Sequence, residues 1–270
     1  MDNNNSNWIA EMMSRNPLFE LLALAVSLIL IYLLSIFFFP LAWLMPLPLI
    51  VYYLRRGALA SFSLMILTVV VIFFLTDSVD MLFTIILLTG GTTGMATAAI
   101  IKSEHKHKQV MTAMILIPLV ALPILLAASD FIFDYNVRES VEQSLSKMEG
   151  RSMDLLNENE AAAEGKTDMQ QRFTQLYKMV LDLYPSLVGI SILISVMISL
   201  SILNRMKDTL INDKSYWFKF NEIELPDFLM FIFVLAGAGV LLLEGGGVFV
   251  SMNLLVYILF IFLIQGLAFI

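Results

Sequence analysis

Asn253 and Gln265 are the two carboxamides of the last apolar run, and Thr89, Thr92, Thr93 and Thr97 place four hydroxyls in another. In hydrocarbon such groups must face protein, a cavity or a ligand, because lipid offers them no hydrogen-bond partner. Asn253, Gln265 and Thr93 are therefore the candidate ligand-binding residues, with hydrogen bonding between helices as the alternative. Gly90, Gly94 and Ala98 stand four apart beside the threonines. That spacing lets a neighbouring helix approach closely, so they are assigned to helix packing, the alternative being the border of a ligand cavity.

Reactive groupings are sparse. Asp77, Asp80 and Glu244 fall at predicted helix ends, where a carboxylate stays hydrated. No ionisable residue falls inside a predicted span, so a proton- or sodium-coupled pump lacks its usual relay, although backbone carbonyls alone can hold sodium. His105 and His107, the only histidines, alternate with lysines in a basic connector and do not form a metal site. Gly165-Lys166-Thr167 looks like the end of a phosphate-binding loop, but that loop needs glycine where Glu160 stands, and a preceding strand. There are no cysteines, hence no thiolate or iron–sulfur chemistry. The chain reads as neither enzyme nor cofactor protein, and ATP-driven work would need a separate ATPase partner.

The elements that position these residues follow from hydropathy. With 59% apolar and 14% charged residues and a mean hydropathy of +0.84, the chain has lipid as its main solvent. Uncharged runs that could cross a hydrocarbon core about 30 Å thick number about eight. They are Leu21 to Phe39, Leu41 to Leu54, Gly57 to Thr76, Met81 to Ile101, Val110 to Ser129, Ser186 to Leu203, Phe228 to Leu243 and Val248 to Ile270. The second, interrupted by Pro40, Pro46 and Pro48, reaches only about 21 Å as a helix and reads as a short span or a re-entrant piece. Broken helices are the usual pointer to a transporter site, and Pro46-Leu47-Pro48 and the Gly237, Gly239, Gly245 to Gly247 region are the candidates. The first run is too long for a cleaved leader and reads as an anchor.

Loop charges orient the bundle. Arg55 and Arg56, then Lys102, Lys106 and Lys108, then Arg205, Lys207, Lys214 and Lys219 form three basic connectors. The connectors Asp77 to Asp80 and Glu244 to Gly247 carry no Lys or Arg. The basic set is placed in the cytoplasm, so both termini are cytoplasmic if all eight runs cross; if Leu41 to Leu54 only dips in, the N-terminus lies outside. Tyr216, Trp217 and Phe218 suit the headgroup level, and Leu225-Pro226-Asp227 is a helix start. Of the 23 acidic residues, 11 lie between Asp130 and Asp182, so the net charge of -7 belongs to one insertion and nucleic acid is not a partner.

The predicted organisation is a polar segment at 1–20, five membrane segments within 21–129, an extracytoplasmic helical hairpin at 130–185, and three more segments within 186–270. In the hairpin Phe133, Val137, Val141, Leu145 and Met148 give an outgoing helix, Asn157 to Asp168 a turn, and Phe173, Leu176, Val180 and Leu183 a returning helix that ends near Tyr184-Pro185. A solvated acidic loop is the alternative. The chain ends inside an apolar run at Ile270, which reads as a truncated C-terminus.

Pro46 to Gly57, the glycine-rich Thr89 to Gly94, the acidic insertion ending in Tyr184-Pro185, Leu225-Pro226-Asp227 and Gln265-Gly266, in that order, resemble the YybS-like (DUF2232-type) family of bacterial membrane proteins. The resemblance covers most of the chain. It implies further membrane sequence after Gln265-Gly266 and a distant similarity to the substrate-binding subunits of energy-coupling-factor transporters. Those subunits are six-helix proteins with small residues four apart on the first span, where this chain has about eight segments and only Ala23 and Ser27 so spaced. No ligand-binding residue carries over by position.

The whole reads as an all-α, polytopic transmembrane bundle of the bacterial inner membrane, with the lipid bilayer as its first partner. Two functions fit. One is capture of a small solute or lipid-like molecule for transport, with a separate ATPase module. The other is an envelope scaffold or assembly protein that acts through its external hairpin.

Overall fold

Asn16 and Pro17 set the start of the first helix. The Asn16 side-chain oxygen accepts hydrogen bonds from the Leu18 and Phe19 N–H groups at 3.1 and 3.4 Å, and Pro17 follows where a missing N–H costs nothing. In the computed structural model, which describes residues 16–76, 81–103, 107–158, 166–210 and 224–268, α1 runs Pro17–Phe37. Hydropathy alone starts it four residues later and leaves Glu20 outside. The expectations at Asp77, Asp80, His105, Lys106, Asn159, Glu160, Gly165 and 211–223 fall outside the described residues.

Pro40 and Pro46 do not interrupt a helix; each begins one. A 3-10 helix, Phe39–Leu44, is followed by α2, Pro46–Arg56, which ends at Gly57 with φ 87°. The run Leu41 to Leu54 is thus two short pieces, a 3-10 helix rising about 2.0 Å per residue and an α-helix rising about 1.5 Å, in place of one helix.

The remaining helices are α3 (Ala58–Thr76), α4 (Met81–Lys102), α5 (His107–Phe133), α6 (Val137–Glu158), α7 (Lys166–Leu210), α8 (Phe228–Leu242) and α9 (Gly246–Ala268). Every regular element among the described residues is helical. Five are long and apolar enough to cross a membrane, namely α1, α4, α5, the Gln171–Met206 part of α7, and α9; α3 and α8 contain shorter apolar helices. Large apolar side chains such as Leu22, Leu30, Phe231, Leu235, Leu259 and Leu263 point outward. That is the pattern of a bundle solvated by lipid.

Two cores meet at α2. Leu28, Tyr32, Leu49, Leu64 and Leu87 join α1, α2, α3 and α4, and Ile50, Met111, Ile115, Leu193, Leu200 and Ile258 join α2 to α5, α7 and α9. Lys108 Nζ lies 2.7 Å from Asp227 Oδ2, tying the start of α5 to the start of α8.

The sequence ends the returning helix near Pro185; the structure carries it on. α7 is one helix of 45 residues with Pro185 inside it, about 68 Å long. Its first part packs along α6. Asp134, at φ 51°, turns the chain out of α5, and the Asn136 side-chain oxygen accepts from the Glu139 N–H at 3.1 Å to start α6. Val137, Tyr135 and Val141 then pack on Ile85, Leu122 and Tyr184 and anchor the base of the hairpin to the bundle.

Candidate functional site

Proline in a helix interior removes one donor and holds the turn before it open. In α7 the opening falls where Asn253 of α9 arrives. Its Nδ2 donates to the Asp182 carbonyl at 2.8 Å and to the Phe249 carbonyl at 2.9 Å. Its Oδ1 accepts from the Ser186 N–H at 3.0 Å. Ser186 Oγ lies 2.7 Å from that Oδ1 and 2.6 Å from the Asn253 backbone oxygen. Asp182 and Ser186 are the i and i+4 pair that an unbroken helix would join directly. The carboxamide thus spans the gap, and both its donors and its acceptor are engaged.

A cavity of about 460 Å³ lies against this bridge. Pro118, Leu122 and Pro123 of α5 form one side, Tyr184, Pro185 and Gly189 of α7 a second, and Phe249, Asn253 and Tyr257 of α9 a third. Gly189 is needed for the shape: a Cβ there would sit 3.1 Å from the Tyr257 ring. The three prolines cannot donate to the carbonyls of Met114, Leu119 and Leu181, four residues before each. Those acceptors lie on the same helix faces as the proline rings. Tyr184, Ser186 and Tyr257 bring hydroxyls to the wall; that of Ser186 is engaged with Asn253, and that of Tyr257 lies 3.4 Å from the Ile115 carbonyl. The rest of the wall is apolar.

Of the three candidate ligand-binding residues, the structure brings only Asn253 to this cavity. Gln265 lies on the same helix about 18 Å further along. Thr93 is buried on α4, and its hydroxyl donates to the Thr89 carbonyl at 2.6 Å. The glycine face of α4 packs on α2: Cβ atoms at Gly90 and Gly94 would lie 3.6 Å from Pro46 Cγ and 2.9 Å from Ile50 Cγ1, and Ala98 is fully buried.

One polar cluster was not legible as such. Glu20, fully buried, holds Arg55 Nη1 at 2.8 Å with Oε1 and Arg56 Nε at 2.8 Å with Oε2. The expectation that no ionisable side chain is buried in the bundle is corrected here. Asn16-Pro17 starts the helix early, so Glu20 lies on its first inward-facing turn, and the helix-start pair was the available signal. The contact also puts the start of α1 and the end of α2 on one face of the bundle. A second tie lies deeper: Trp43 Nε1 donates to Ser191 Oγ at 2.9 Å, and Ser195 Oγ donates to the Trp43 carbonyl at 2.7 Å. Among the described residues Thr89 Oγ1 and Ser199 Oγ are buried without a hydrogen-bond partner.

Residues 22–270 match the family model described as "Predicted membrane protein (DUF2232)". No curated protein and no solved structure matches the chain.

Proposed function

The chain belongs to that DUF2232 family of multi-pass membrane proteins, and we propose that it captures an apolar or lipid-like molecule in the cavity between α5, α7 and α9. The carrying observation is the cavity's chemistry. About 460 Å³ of space is walled by prolines, leucines and aromatic rings, and its one carboxamide is spent on holding α7 and α9 together. A small polar solute would find no unspent side-chain amide there, whereas a hydrocarbon segment would bury apolar surface.

On this reading the protein is a binding subunit of the bacterial inner membrane, with α6 and the first turns of α7 outside the cell, and it catalyses no reaction. Arg55, Arg56 and Lys108 then lie at the cytoplasmic face, in keeping with the charge asymmetry of short loops. Any ATP-driven step belongs to a separate protein, as the resemblance to energy-coupling-factor subunits implies.

A second reading, an envelope scaffold, is favoured by Leu176, Met179 and Val180, which are exposed on the hairpin part of α7. Mass spectrometry of the protein extracted in mild detergent separates the two. Capture requires a stoichiometric apolar adduct that is lost when Val250→Trp fills the cavity from its 63% exposed edge. A bare wild-type chain that keeps a protein partner only while Leu176, Met179 and Val180 are intact would replace capture with the scaffold.

A further inference from the structure

The cavity has a cation at its rim. Arg138, in the first turn of α6, holds its guanidinium carbon 5.6 Å from the centroid of the Phe249 ring, and Phe249 is part of the cavity wall. Its Nη2 lies 3.4 Å from Asp182 Oδ1, and the two side chains are 50% and 40% exposed. Such a long, solvated pair is weakly held and exchanges readily. Asp182 is also the residue whose carbonyl receives Asn253 Nδ2, so rim and cavity are built from the same turn of α7.

Below the rim the lining is mostly apolar. At about 30 Å³ for a group the size of a water or a methylene, the space holds about fifteen such groups, enough for one hydrocarbon chain. Arg138 stands just past the end of α5, where the chain leaves the predicted hydrocarbon layer and a charged headgroup would lie. Guanidinium is suited to phosphate or carboxylate, which it can grip with two parallel N–H donors.

We infer that the occupant is a single-chain anionic amphiphile, its chain in the α5/α7/α9 cavity and its headgroup on Arg138 in place of Asp182. This rests on the capture reading, and adds to it a polarity and an orientation: the head faces the hairpin, the tail the centre of the bundle.

The test uses the full chain in phosphatidylcholine nanodiscs, titrated with lysophosphatidylglycerol or the uncharged monoacylglycerol of the same acyl length and read by native mass spectrometry. The anionic probe should bind about tenfold more tightly, the scale of one charge-assisted contact. Arg138→Gln should erase that preference while leaving the neutral probe bound, and Arg138→Lys should retain most of it. Val250→Trp should weaken both probes. Equal binding of the two probes with no effect of Arg138→Gln would overturn the headgroup assignment and leave the cavity reading standing. Absence of both adducts, or adducts indifferent to Val250→Trp, would overturn the cavity reading and this inference with it.

Discussion

Asn253 and Ser186 are joined by three contacts, at 2.6, 2.7 and 3.0 Å, across the proline turn of α7. The relationship makes α9 a splint for α7. Asn253→Leu removes the splint and leaves the Ser186 N–H and the Asp182 carbonyl without it in an apolar setting, at a cost of about 2 kcal/mol. Reversible unfolding in mixed micelles should show that loss, and a variant as stable as wild type would mean that Pro185 needs no support.

Glu20 is the buried member of the cluster, while Arg55 and Arg56 are 18% and 31% exposed. Glu20→Gln should destabilise the bundle by about 1–3 kcal/mol, the scale of hydrogen bonds to charged groups. Arg55→Met and Arg56→Met combined with Glu20→Met should recover part of it, because the buried carboxylate and the two side chains that hold it are replaced together. Additive losses in the triple variant would show that the three side chains act independently.

Gly90 and Gly94, two of the three glycines of α4, should respond differently. Gly94→Val forces its Cβ to 2.9 Å from Ile50 Cγ1 and should cost about 1–3 kcal/mol by overpacking. At Gly90 the nearest atom to a new Cβ is 3.6 Å away, an ordinary contact, so Gly90→Ala should be tolerated. Thermal denaturation in detergent compares them directly, and equal melting temperatures would contradict the close packing of α2 on α4.

The chain has no cysteine, which makes single-cysteine labelling clean. An impermeant maleimide should reach Ser144→Cys on α6 in intact cells, and Leu18→Cys and Ser103→Cys only after permeabilisation. Labelling of Leu18→Cys in intact cells would place the start of α1 outside, and with it Arg55 and Arg56, which Glu20 holds on the same face, against the charge asymmetry of short loops.

The helical, multi-span character was legible because lipid demands long uncharged runs, and α4 and α9 begin within two residues of where hydropathy starts them. Helix starts set by proline were less so. Pro17, Pro40 and Pro46 read as breaks or as polar flank in a hydropathy scan, yet each occupies a first turn, and the consequence is a buried Glu20 and a second segment built as a 3-10 helix followed by an α-helix. At the site, Asn253 stood out as a carboxamide in hydrocarbon, but its partners Asp182 and Ser186 lie 71 and 67 residues away in sequence. No spacing rule links them. Arg138 was equally opaque, since one arginine in an acidic hairpin acquires meaning only once Phe249 is seen beneath it.

Pro185 divides α7 into two arms of unlike surroundings. The outer arm, from Lys166, is about 28 Å long and packs along α6; the inner arm, to Leu210, is about 37 Å long and buries Leu193, Val196, Leu200 and Leu203 in the bundle. The cavity lies at the junction of the two, so its wall is shared between the part of α7 that belongs to the hairpin and the part that belongs to the core.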